Sequence, residues 1–511
     1  MRWRISLYVV AALLIVGSTW LIFGWGWQVH RVQRTHRQDT PAAYQFLTKK
    51  VLLPLAADEP LTRRQAEEDL DELEWLLENR YAYLHLRDVD YRAALDAIRA
   101  SAAEGTRRST LALQIAKLLC LFGDGCSSVA EPSPDDLCPG FLPFLIEEVD
   151  GRLVALKADR SGFVDDRCPF LVALDGLAVS EWLAAAETLS PKGSPPSEQQ
   201  QTRRNLRYIG WLRAELDRPP APTVTVAVES QDWQQNHRLQ LDVLREKSPD
   251  AAPAAVVAEL ADSIGYIRLA ATMQEDAKFL AWLGEAMERV RPTRGLIIDV
   301  RGYGGSHVPL MTLLPYFLDP SGAPRVVNVA APRARTAKSA LILKERRLYP
   351  PDQQGWTAAE RLALQDFRQS FKPAWSPPDV QPRWHYCVVS PAAGPPKYHY
   401  AGPVVILMDA ASCGAADIFL GALEGLPNVT VLGTPSGGGS DGCCDYRLHH
   451  SGIQVRLASM VSYGPTGELY GVAGIQPDVL VKSTLMDLGS QNDPQLFAAQ
   501  ELLKSKFAPP P

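Results

Sequence analysis

The chain has 511 residues and a mass of 56.2 kDa, too long for one compact domain and suited to roughly three. Apolar residues make up 46% and charged residues 22%, ordinary globular values that exclude collagen-like, coiled-coil and wholly disordered chains. The net charge of −6 gives no electrostatic support for a nucleic-acid partner.

That average conceals a division. Residues 1–38 carry five arginines and no acid, so of the 52 basic residues 47 remain, against 58 acidic ones, in the rest of the chain. No charge interrupts residues 5–27. As a helix rising 1.5 Å per residue this stretch spans about 34 Å, enough for a hydrocarbon core of about 30 Å. Tyr8 stands near one end and Trp20, Trp25 and Trp27 toward the other, as in an interfacial aromatic belt. The run ends in Phe-Gly-Trp-Gly-Trp, a poor cleavage site, so residues 1–37 are expected to be an uncleaved membrane anchor with basic flanks. Arg31, Arg34 and Arg37 after the helix outnumber Arg2 and Arg4 before it, and this count alone favours a cytoplasmic body.

Residues 38–60 read as a linker. Helical periodicity follows over 61–130, where Thr62 and Gln65 make a capping box and Leu70, Leu73, Leu76 and Leu77 share a face. Further helices fit 91–100 and 110–121. Residues 138–245 change to short strands at 141–146, 153–157 and 171–174, a helix at 179–186, and a closing hairpin of 223–228 with 238–243. Residues 190–200, rich in Pro, Ser and Gln, predict a flexible loop. From 255 to 490 strands and helices alternate: strands at 264–269, 295–300, 404–408 and 429–433, helices at 274–290 and 412–423. This rhythm predicts an α/β core, interrupted at 330–400 by a Pro-rich insertion. Residues 491–511 read as a C-terminal tail. The fold class expected is thus α/β within an α+β multidomain chain.

Four motifs of this core resemble, in order, those of the tail-specific (C-terminal processing) serine proteases. They are Gly295-Leu-Ile-Ile-Asp-Val-Arg-Gly-Tyr-Gly-Gly305; Gly402-Pro-Val-Val-Ile-Leu-Met-Asp409 with Asp417-Ile-Phe419; Leu432-Gly-Thr-Pro-Ser-Gly-Gly-Gly439; and Gly474-Ile-Gln-Pro-Asp478. The tricorn protease core and the retinoid-binding modules of the eye are relatives of that family. The stretch containing Leu174-Asp175-Gly176 resembles its PDZ-like insertion. The resemblance covers residues 61–490 and implies a body outside the cytoplasm, hence a single-pass membrane protein of periplasmic or extracytoplasmic location.

Serine peptidase chemistry needs a nucleophile, a base and an oxyanion hole. The resemblance places the nucleophile three residues before the acid Asp417, and that position is Gly414. It places a lysine base at 439, which is Gly, and no lysine lies between Lys397 and Lys482. In the tricorn-like branch a histidine follows Gly123-Asp124-Gly125, where this chain has Cys126, and a glutamate falls at Gly471. Four family positions are therefore substituted. Gly304 and Gly305 could still present backbone N–H groups to an oxyanion. Asp299 and Arg301 read as a structural pair.

The reading that follows is a pseudoenzyme: a membrane-anchored member of the family that binds an extended polypeptide or a protein C-terminus, needs no cofactor and has lost the usual catalysis. Two alternatives stand beside it. One is an active peptidase using a displaced Ser412 or Cys413 with His307 as base. The other is a protein binding a small apolar ligand near Trp356, Trp375, Trp384 and Tyr386. Eight cysteines, Cys120, Cys126, Cys138, Cys168, Cys387, Cys413, Cys443 and Cys444, allow 105 full pairings. Adjacent Cys443–Cys444 and His449–His450 fit metal-ligand spacing poorly. A Cys443–Cys444 link or separate thiols fit better.

Overall fold

A computed structural model describes residues 60–137, 140–246, 254–269, 277–391, 398–490 and 492–507. The apolar leader at 5–27 and Cys138 lie outside them. Among the described residues no helix is long and apolar enough to cross a membrane.

Three helices open the described chain: α1 (Arg63–Arg80), α2 (Tyr91–Ser101) and α3 (Arg108–Cys120). The Thr62/Gln65 capping box closes the N-terminus of α1. Leu70, Leu73, Leu76 and Leu77 are buried on one face, as their spacing requires. Strand β1 (Ser128–Glu131) follows.

The next unit is an antiparallel sheet of β2 (Phe144–Val149), β3 (Arg152–Lys157), β4 (Phe170–Leu174), the short β5 (Leu177–Ala178), β6 (Thr223–Glu229) and β7 (Asn236–Asp242). Its path is β2-β3-β4-β6-β7, with β5 on β4. Helices α4 (Val179–Glu187), α5 (Pro195–Asn205) and α6 (Ile209–Glu215) pack with it. Helix α5 corrects the flexible loop expected at 190–200. Ser194 caps in extended geometry and Pro195 stands at the first helical turn, where proline's missing N–H costs nothing. Thr202 and Asn205 then turn inward and bond Ser190.

The core sheet has the order β8-β9-β10-β13-β14-β18. Its strands are β8 (Val256–Leu260), β9 (Ile264–Arg268), β10 (Gly295–Asp299), β13 (Val404–Met408), β14 (Val429–Gly433) and β18 (Val479–Leu480). All neighbours run parallel except β8 with β9. β10 and β13 are buried at every residue, which explains their unbroken apolar text. One face packs on α7 (Ala277–Val290), α8 (His307–Leu313) and α11 (Ala415–Leu423). The other packs on α12 (Pro494–Lys506) through Ala499 and Leu503. The expected tail is therefore structural. Arg301 reinforces it by pairing with Asp299 at the end of β10 and with Asp493 at the cap of α12.

The 330–400 segment is not a plain polar insertion. It includes the end of β11 (Arg325–Pro332), then α9 (Ala337–Glu345), α10 (Ala358–Ser370) and β12 (His385–Val389). Both helices begin with capping boxes, Thr336/Ser339 and Thr357/Glu360. β11 pairs with β12 and with β17 (Met460–Tyr463). Another three-stranded sheet joins β15 (Cys443–Arg447), β16 (Gln454–Ala458) and β1. Through it the helical bundle and the core share one apolar cluster. The aromatics weighed as a ligand site fill that seam. Trp356 and Tyr386 are buried, Tyr83 stacks on Trp375, and Trp384 meets Phe371 and Tyr463 edge-on.

Candidate active site

The chain leaves β13 through Asp409, whose carboxylate takes the backbone N–H groups of Gly302, Ala411 and Ser412 at 2.9–3.0 Å. It then enters α11 at Gly414, with φ 64° and ψ −105°. Side chains rarely adopt that backbone, and it makes a sharp strand-to-helix elbow of the kind that presents a nucleophile. The residue at this elbow is glycine. A Cβ built on Gly414 would meet only the Gly439 carbonyl, at 3.9 Å.

The glycine-rich segment after β14 wraps this elbow. Gly414 donates to the Gly438 carbonyl at 3.0 Å, Gly437 to Ser412 at 2.7 Å and Gly439 to Gly471 at 3.1 Å. A Cβ on Gly125 would lie 3.5 Å from the Gly439 Cα and 3.7 Å from the Gly471 carbonyl. Positions 414, 439 and 471 and the Gly125–Cys126 turn, remote in sequence, thus converge. From the second unit, the buried Ser194 hydroxyl donates to the carbonyls of Ser436 and Gly437 at 3.5 and 3.4 Å.

None of the displaced candidates is arranged as a nucleophile. Ser412 is wholly buried; its hydroxyl donates to the Val300 carbonyl at 2.8 Å and accepts from the Asp409 N–H at 3.1 Å. Cys413 lies beside Gly304, its Sγ 3.1 Å from where a Cβ there would stand. Burial, then Asp417 and Asp409, push its thiol up to about 12, so at neutral pH it is not the reactive thiolate. His307 begins α8, and burial followed by Arg346 drives its pKa well below the ordinary value. Among the described residues no hydrogen bond joins it to Ser412 or Cys413. Gly304 and Gly305 lie in the loop between β10 and α8, with Gly304 facing Cys413.

Cys126 is bonded to Cys443, so the Cys443–Cys444 link expected from the sequence is not formed and Cys444 is a buried free thiol. His450 pairs with Glu68 at 2.6 Å, and His449 donates its backbone N–H to Glu72. These contacts give the adjacent histidines other partners than the adjacent cysteines.

Sequence reasoning missed a buried acid. A Cβ on Gly471 would fall 2.1 Å from both carboxylate oxygens of Asp441. Asp441 thus occupies the space a side chain at 471 would need. Tyr83 donates to one of its oxygens, and the other has no hydrogen-bond partner among the described residues. Asp124 and Arg346 act on it electrostatically. Burial first, and then Asp124, raise the Asp441 pKa well above the carboxylate range. A shift in that direction favours the neutral form of the carboxyl.

Asp417 is likewise buried, accepting from Ser436 at 2.5 Å, Ser440 at 3.2 Å and the Gly438 N–H at 3.3 Å. Burial outweighs these bonds and lifts its pKa to about 7. The unfolded value is about 3.9, so the folded state binds this proton more tightly. The stabilisation is full below about pH 4 and is lost as pH rises to about 7. Denaturant midpoints are therefore expected to fall across that window, and Asp417→Asn should shrink the fall. Glu72, also raised to about 7 by burial, and Asp441, raised as well, supply a remaining slope. An identical slope in wild type and variant would refute the assignment to Asp417.

Residues 263–481 match the family described as Peptidase family S41. No curated protein matches the chain significantly. The solved structure of mature CPAF complexed with lactacystin aligns over 87% of this chain and 97% of its own, with a TM-score of 0.60 and 16% identity. A second structure of mature CPAF aligns over 86% and 96%, again at 0.60 and 16%. At that identity the likeness concerns the fold. The photosystem II D1 C-terminal processing protease aligns over 87% and 98%, with 15% identity and a TM-score of 0.43.

Proposed function

Because the chain belongs to peptidase family S41 through residues 263–481, we propose that it engages extended polypeptide or a protein C-terminus without hydrolysing it. The observation that carries this reading is Gly414: an elbow built to present a nucleophile, holding a residue that has none. Three further features support it. The residue at the histidine position is in a disulfide, the carboxyl beside the glutamate position is buried with its pKa raised, and the Cys413 thiol is raised to about 12. In this proposal the apolar segment 5–27 anchors the chain to a membrane with the body on the extracytoplasmic side. The disulfide supports that placement, since such bonds persist in oxidising compartments.

A fluorophosphonate probe and iodoacetamide are expected to leave Ser412 and Cys413 unlabelled in the folded chain. Gly414→Ser, which has room for its side chain, should gain no peptidase activity because among the described residues no base faces it. Its hydrolysis of unstructured polypeptide should stay at background, while C-terminal peptides bind wild type and variant alike. Labelling or cleavage abolished by Ser412→Ala or Cys413→Ala would overturn the proposal.

A further inference from the structure

The loop joining β3 to β4 ends in Cys168, a fully buried free thiol. Three residues earlier, Asp165 is fixed by its own loop. One carboxylate oxygen takes the N–H groups of Arg167 and Cys168 at 2.9 and 3.0 Å. The other is thereby turned outward and meets Nδ1 of His237 on β7 at 2.7 Å. The Cys168 Sγ points into the same corner, where its one weak contact is the Gln235 carbonyl at 3.8 Å. Sulfur, imidazole nitrogen and carboxylate oxygen all lie within 4.8 Å of one another.

We propose that Asp165, Cys168 and His237 bind one divalent transition-metal ion of the zinc class, which clamps the β3–β4 loop to the β6–β7 hairpin. The donor set decides the class: thiolate and imidazole suit zinc, whereas magnesium and calcium take all-oxygen ligands. Bond lengths of about 2.0 to 2.3 Å hold tetrahedral ligands about 3.5 Å apart. The Asp165–His237 pair therefore opens from 2.7 Å and the sulfur closes from within 4.8 Å. Three protein ligands leave the fourth position to water. Before metal arrives, burial and then the Asp165 and Asp232 carboxylates raise the thiol's pKa. Binding thus displaces the thiol proton to solvent, and affinity rises with pH.

The test uses the full chain, stripped with a chelator and titrated with Co²⁺. One equivalent is expected to bind, with a thiolate-to-cobalt charge-transfer absorption, and Zn²⁺ should displace it. Cys168→Ser should abolish that absorption. Asp165→Asn keeps the acceptor for the two backbone N–H groups and so protects the fold, yet it should weaken Co²⁺ binding at least about tenfold. Zn²⁺ should raise the Tm of the wild type and not of Cys168→Ser. Absence of saturable uptake, or a cobalt–thiolate band that survives in Cys168→Ser, would mean an Asp–His pair beside an inert thiol and would overturn the proposal.

Discussion

Gly471→Ala is expected to destabilise the protein by about 3 kcal/mol or more, the upper end for forcing atoms into a filled interior. Gly471 has no left-handed backbone to protect, so alanine's cost there is steric alone. Its Cβ would sit 2.1 Å from both oxygens of Asp441. That carboxyl cannot swing aside into solvent, because it is wholly buried and held by Tyr83. A second substitution isolates the cause. Asp441→Gly empties the space while leaving the Tyr83 hydroxyl without its acceptor, an expected loss of about 1–3 kcal/mol. In Gly471→Ala/Asp441→Gly the alanine enters a vacated volume. The two changes should then couple favourably by at least about 2 kcal/mol in urea unfolding. Strict additivity, or a Gly471→Ala variant as stable as the parent, would show that Asp441 does not fill this space. The same contact bears on function. A glutamate at 471 would meet the same obstacle, so it fits there only if Asp441 is also changed.

The sequence disclosed the parts of this site that local text can encode. The buried strand β13, the acid Asp417 and the glycine run 437–439 are local signals, and the family resemblance they carry points to Gly414. The α1 capping box and its leucine face were equally local. What escaped depends on distance or on space. Cys126 and Cys443 are separated by 317 positions, and spacing has no means of choosing that pair among eight cysteines. Asp441 follows the glycine run 437–439, and nothing in its local sequence marks it. Only the packed fold shows it under Gly471 with Tyr83 and Arg346 around it. The 195–205 helix was concealed by Pro, Ser and Gln, which favour loops in composition and yet include a good N-terminal turn. Its inward contacts through Thr202 and Asn205 supply the stability its propensity lacks.

The largest effect on global stability is expected from the Cys126–Cys443 bond. It ties the end of the helical bundle to β15 of the core, whose sheet also contains β1. Closing a loop of that length restricts the unfolded chain by on the order of 5 kcal/mol in the chain-entropy account. Cys126→Ser/Cys443→Ser should therefore lower the urea midpoint substantially, and dithiothreitol should do the same to the wild type but not to the variant. The bond is set next to the converged glycines, so its loss should also alter their arrangement. The Gly125 turn is held by Asp124, which takes the N–H groups of Cys126 and Ser127 at 2.8 and 2.6 Å. That anchor is independent of the sulfur. The double variant should thus keep its fold at low denaturant while amide exchange rises at Gly125 and Gly439, which face each other. A midpoint unmoved by dithiothreitol in the wild type would exclude a stabilising role for the bond. Exchange rising throughout the bundle instead of at the turn would show that the disulfide, and not Asp124, holds this wall of the site.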